Sequence, residues 1–112
     1  MTSRRTDGAG ALRRAERAPF AGWVELSSNG VRRRARALDL SVHGIGVALT
    51  GPPPAMREAV VSEFALPGIS LPVALDGTVV WVDPDASRAG VAFAEVDPGL
   101  AELLASFVAG RL

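Results

Sequence analysis

The segment SSNGVRRRARALDLSVHGIGVAL, residues 27–49, decides how this chain folds. Asn29-Gly30 is the strongest kind of short hairpin signal, because both residues accept a positive φ. It sets residues 20–26 and 31–40 against each other as antiparallel strands. Ile45, Val47 and Leu49 then alternate with small residues, the period of a half-buried strand. By the same alternation Asp39 and Ser41 share an outward face, while Leu38 and Leu40 turn to the core.

Outward from this segment the texture is the same. Gly51-Pro52-Pro53-Pro54 interrupts pairing. Residues 60–66 and 71–82 read as two more strands around Pro67-Gly68, and Asp83-Pro84-Asp85 turns into a last one over residues 88–94. Six short antiparallel strands close into a barrel, since closure removes unpaired edges. Asp97 suits a helix cap and Pro98 the first helical position, and Leu100, Leu103, Leu104, Phe107 and Val108 recur at helical spacing. The predicted fold is therefore all-β, a six-stranded antiparallel barrel with a C-terminal helix. Residues 1–18 hold too little apolar surface to offset the entropy of ordering, so a flexible N-terminal arm is expected. Within it, residues 1–11 are assigned to a disordered tail and residues 12–112 to a single domain.

Composition narrows the function classes. A chain of 112 residues supports one core, and 48% hydrophobic against 21% charged residues is the balance of a folded protein. Twelve basic and twelve acidic side chains cancel, which disfavours nucleic acid and anionic lipid as partners. Every basic residue is an arginine, and most lie between Arg4 and Arg36. A guanidinium grips phosphates and guanine edges through paired hydrogen bonds that an ammonium cannot make. With no cysteine and a single histidine, neither a disulfide framework nor a Cys/His metal site can be assembled, so no cofactor is expected. A reducing cytoplasm is the expected compartment, and no apolar run reaches membrane-spanning length, so no membrane insertion is expected.

Two clusters can carry chemistry. Arg13-Arg14-Ala15-Glu16-Arg17 on its own reads as a solvated basic stretch, and Asp39-Leu40-Ser41-Val42-His43-Gly44 on its own reads as a turn satisfying its own backbone, with Gly44 at positive φ. Arg32, Arg33, Arg34 and Arg36 form either a solvated face or an extension of positive surface. Trp23 and Trp81 sit in apolar strand patterns and are assigned to packing. Asp39, Ser41 and His43 lie within five residues of one another, too close along a strand and its turn for a nucleophile, base and orienting acid.

Taken jointly, R-x-x-x-R at Arg13 and Arg17 followed by D-x-S-x-x-G at Asp39, Ser41 and Gly44 resembles the two-part signature of PilZ domains. Gly77-Thr78-Val79-Val80-Trp81 and Gly90-Val91-Ala92-Phe93 look like that family's late strands, so the resemblance spans residues 12–110. It implies a barrel whose arginine arm folds over cyclic diguanylate, c-di-GMP, and passes the signal to a downstream protein. Guanine presents O6 and N7 acceptors on one edge, matching an arginine fork, and N1–H and N2–H donors on the other, matching a carboxylate. On this resemblance Arg13 and Arg17 grip guanine edges and phosphates, with Arg14 as helper. Asp39 accepts from guanine, Ser41 adds a hydroxyl bond, and Gly44 admits close backbone. His43 can add a minor ring contact, and the uncharged Leu12 favours one bound c-di-GMP over a stacked pair. The alternative is an adaptor of the same fold that binds partner proteins constitutively, with little or no affinity for c-di-GMP.

Overall fold

The computed structural model describes residues 17–110. The expected tail over residues 1–11, together with Leu12, Arg13 and Arg14, lies outside the described residues.

Among the described residues seven strands and one helix follow in order: β1 (Ala18–Pro19), β2 (Trp23–Ser28), β3 (Val31–Leu40), β4 (Gly44–Leu49), β5 (Ala59–Phe64), β6 (Val73–Asp83), β7 (Arg88–Phe93) and α1 (Pro98–Val108). All pairings are antiparallel. The order β3-β2-β5-β6-β7-β4 closes on itself through β3–β4, so β2 to β7 form a six-stranded barrel. The short β1 adds outside it, pairing Ala18 with Leu40 and Pro19 with Asp39. The expected barrel and closing helix are observed.

The β2–β3 turn has the anticipated chemistry, with Asn29 at φ 51° and Gly30 at φ 78° between Ser28 and Val31. Alternation then sorts the faces. In β5 and β6, Val60, Ser62, Phe64, Val73, Leu75 and Val79 turn inward while their neighbours meet solvent. Val24, Leu26, Leu40, Ile45, Val47 and Val91 fill the same core. The helix docks on it through fully buried Leu104, with Phe107 edge-on to Phe20 at 5.4 Å and Phe20 edge-on to Phe64 at 5.8 Å. Asp97 caps α1 by accepting from Leu100 N at 3.1 Å, which satisfies one of the amides a helix start leaves unpaired.

Several sequence expectations need correction. Strand β2 begins at Trp23 rather than residue 20, because pairing with β3 is irregular over residues 20–22, where Phe20 N bonds Leu38 O at 3.3 Å and Ala37 N bonds Gly22 O at 2.7 Å. Phe20 is thereby freed to bury its ring rather than follow strand alternation. Strand β6 begins at Val73, and Leu71, expected inside it, is 74% exposed. Leu38 does not join the core face. The β3–β4 register slips between Ala37 and Asp39, so a bulge carries the inward face from Ala35 and Ala37 to Leu40 and leaves Leu38 half-buried. A second slip, between Val79 and Trp81, does the same in β6.

Candidate functional site

Both bulges fall beside one outer face of the barrel. Asp39 stands opposite Gly46, Gly46 opposite Gly90, and Gly90 opposite Trp81. One line therefore crosses four strands: carboxylate, two glycines, indole. Without the bulges, strict alternation would have given Asp39 and Trp81 different faces relative to the core residues that precede them.

The glycines are close-packed rather than incidental. A Cβ on Gly46 would lie 2.9 Å from Asp39 Oδ1 and 3.6 Å from Arg17 Nη2. A Cβ on Gly90 would lie 2.0 Å from Trp81 Nε1, so the indole rests directly on that backbone. The result is a trough with a glycine floor that side chains already cover, the Asp39 carboxylate and Arg17 guanidinium over Gly46 at one end and the indole over Gly90 at the other.

Arg17 sits at the acidic end. Its Nη2 donates to Asp39 Oδ1 in a short ion pair, with the arginine side chain 17% exposed and the aspartate 37% exposed. The second aspartate oxygen takes no bond from any described residue. The structure thus brings together the second arginine of the R-x-x-x-R pattern and the acid of D-x-S-x-x-G, which lie far apart in sequence. Arg13 and Arg14 precede them outside the described residues.

Ser41 is not on that face. It is fully buried, and its Oγ accepts from His43 N at 3.0 Å and Gly44 N at 3.2 Å, while Ser41 N bonds Gly44 O at 2.9 Å. The expected outward pairing with Asp39 is overturned because β3 ends at Leu40, so alternation no longer governs the next side chain. The hydroxyl instead holds the turn that launches β4. Gly44 is also not at positive φ; it is the first residue of β4, and its Cβ would lie 2.3 Å from Val91 O. Its bareness serves the approach of β7. His43 is exposed, and its bonds run through its backbone, N to Ser41 and O from Phe93 N at 2.7 Å.

Trp23 departs from its expected packing role. It is 55% exposed, with the Arg34 guanidinium 4.2 Å above its ring. Arg33 lies 3.7 Å from Glu58, and Arg32 3.9 Å from Glu25. Glu58 also accepts from Ser28 Oγ and from Ala55 N at 2.9 Å. Those two hydrogen bonds, the Ser28 one foremost, hold its carboxyl below the ordinary 4.5 despite partial burial, with Arg33 assisting. Among the described residues no group of three or more histidine, aspartate or glutamate side chains is arranged to hold a metal ion, and no helix is long and apolar enough to cross a membrane.

A bulged outer face, an arginine meeting D-x-S-x-x-G and a closing helix agree with sequence comparison: the PilZ domain profile matches residues 11–110. The chain belongs to the PilZ domain family. Several solved structures resemble it in fold. The Bacillus subtilis inhibitor of motility MotI/DgrA superposes with a TM-score of 0.71 at 19% identity, over 88% of this chain and 50% of that one. This chain therefore spans half the length of that protein. The PilZ domain of CeSA from a cellulose-synthesizing bacterium gives 0.64 at 17% identity, covering 86% of this chain and 97% of that one. The Escherichia coli YcgR PilZ domain, solved with c-di-GMP, gives 0.62 at 22% identity, covering 88% and 90%. No curated protein matches the sequence.

Gly46, Gly90 and Trp81 are the members of this PilZ face that reading residues in order does not assign to the site. Nothing local distinguishes them from packing residues. Only cross-strand register puts them in line with Asp39.

Proposed function

We propose that this PilZ domain is a receptor for c-di-GMP, which it binds rather than transforms. The observation that carries the reading is the Arg17–Asp39 pair at the end of a trough floored by Gly46 and Gly90 and closed by Trp81. A guanine needs a carboxylate for N1–H and N2–H, a guanidinium fork for O6 and N7, and a flat surface to stack on. Asp39 reserves Oδ2 for the base donors while Oδ1 keeps Arg17 oriented. Trp81 offers an aromatic wall at the far end. Arg13 and Arg14 supply further guanidiniums for the phosphates. Ser41 and Gly44 act from beneath, by holding the turn and the β4–β7 contact that position Gly46. The YcgR domain solved with c-di-GMP supports the assignment through its shared fold.

Charge-assisted bonds contribute about 1.5–3 kcal/mol each, against about 2–5 kcal/mol for ordering a binding segment. Four such bonds are compatible with a micromolar Kd, about −8 kcal/mol. Titration calorimetry with the full chain tests this: saturable heat at micromolar c-di-GMP is expected, and none at ~50 µM ligand rejects the receptor reading.

The exposed Trp23 beneath Arg34 favours a second reading, a protein-interaction adaptor. Partner binding indifferent to both c-di-GMP and Arg17→Ala would select it. In the receptor reading a downstream protein instead recognises the occupied surface.

A further inference from the structure

A second line of residues runs parallel to the trough. Arg36 on β3 faces Ala48 on β4, and Ala48 faces Arg88 on β7. Both arginines are exposed and Ala48 is half-buried between them. Gly46 and Gly90 lie two residues further along β4 and β7, so the two lines are about 7 Å apart, and the arginine backbones stand about 10 Å apart across two strand spacings. An alanine between the two arginine positions leaves space over β4 that both side chains are long enough to reach, although the Arg36 guanidinium lies towards Trp23.

These two arginines differ from Arg17, Arg32, Arg33 and Arg34 in having neither an acid nor a close aromatic ring. Arg32 is near Glu25, Arg33 near Glu58, Arg34 lies on Trp23, and Arg17 holds Asp39. Arg36 is 6.0 Å from the Trp23 ring, at the outer limit of a cation–π contact, and no carboxylate of a described residue lies within ion-pair distance of it. Arg88 faces Asp83 in register, yet Asp83 Oδ1 accepts from Ala86 N at 3.2 Å and forms no ion pair with Arg88. Two uncompensated guanidiniums bracketing a small residue, one residue pair away from a trough suited to a base, form a basic bracket for an anion attached to that base.

We propose that Arg36 and Arg88 bind a phosphodiester of the cyclic dinucleotide whose base occupies the trough. The inference rests on the receptor reading and extends it to residues outside the R-x-x-x-R and D-x-S-x-x-G patterns. The arginine side chains are free to rotate over Ala48, and exposed rotamers exchange within nanoseconds. Charge dominates this contact, because Arg–phosphate attraction over a solvated surface is screened by salt.

The test is calorimetry with c-di-GMP on the full chain carrying Arg36→Ala, Arg88→Ala, both, or Arg32→Ala as an exposed control at the opposite end of β3, at ~50 mM and ~500 mM salt. Each single variant is expected to weaken binding about fivefold at low salt and the double variant about 25-fold, converging to within about twofold of wild type at high salt. Arg32→Ala stays at wild-type affinity. All variants keep the wild-type melting temperature, since both side chains are exposed and unpaired. If wild type binds and the double variant binds equally well at low salt, this inference fails alone. If wild type does not bind at all, the receptor reading fails and takes the inference with it.

Discussion

Two glycines of one strand, two residues apart, are expected to fail in opposite ways when given a methyl group. At Gly44 the new Cβ meets Val91 O at 2.3 Å, about 1 Å inside the 3.4 Å where ordinary contact begins. That oxygen belongs to the backbone of β7 and cannot move without opening the β4–β7 ladder. Overpacking together with one or two lost ladder bonds costs about 2–4 kcal/mol. For a domain of this size that lowers Tm by at least ~10 °C. At Gly46 the Cβ meets Asp39 Oδ1 at 2.9 Å, only about half an ångström too close, and the obstacle is the end of a rotatable side chain. Relief by rotation is cheap, and alanine regains about 0.5–1 kcal/mol over glycine in a strand, so Tm stays within a few degrees. The rotated carboxylate, however, no longer lines up with both Arg17 and a guanine edge. Losing one charge-assisted bond, about 1.5–3 kcal/mol, weakens c-di-GMP binding about 10- to 100-fold. Melting curves and calorimetry on the two variants separate the effects. A folded Gly46→Ala protein with wild-type affinity would refute the trough as the binding surface, and an undiminished Tm for Gly44→Ala would refute the packing argument.

Other outcomes follow from the same contacts. Asp39→Asn removes the charge and replaces one of the two acceptor oxygens with an NH2 donor, so Arg17 and guanine can no longer both be satisfied; affinity falls more than ~100-fold with little change in Tm, and calorimetry reads both this and the similar loss in Arg17→Ala. Gly90→Ala drives the Trp81 indole off its backbone seat, which a shift in tryptophan emission reports together with weaker ligand binding; in wild type, c-di-GMP should perturb the same emission. Glu58→Gln weakens the bonds from Ser28 and Ala55 and lowers stability at neutral pH by about 1–2 kcal/mol. Because folding depresses the Glu58 pKa, that contribution is complete above the unfolded value near 4.5 and disappears as pH falls through the folded value. Urea melts of wild type and variant should therefore diverge at pH 7 and converge in acid.

Much of this molecule was readable one segment at a time. Asn29-Gly30 specified a hairpin because turn conformation is a property of two adjacent residues. Asp97-Pro98 specified a helix start for the same reason, and apolar runs between turn residues marked strands over residues 60–66 and 71–82, close to the observed β5 and β6. Arg17 and Asp39 were also singled out from sequence, since each belongs to a short pattern of fixed spacing, and the structure pairs them. Local reasoning failed where the chain left regular alternation. Leu38 and Val80 sit at register slips, each of which exchanges the faces of everything downstream, and Ser41 lies just past a strand end.

What sequence alone settled, then, was the inventory: six barrel strands, a capped helix, an arginine-rich leader and an acid at the end of the second long strand. What tertiary structure decided was adjacency. The alignment of Asp39, Gly46, Gly90 and Trp81, the inward turn of Ser41 and the pairing of Arg36 and Arg88 across Ala48 all depend on hydrogen-bond register between strands distant in the chain. Register is a collective result of closing a bulged barrel around one core, and no short window of residues carries it.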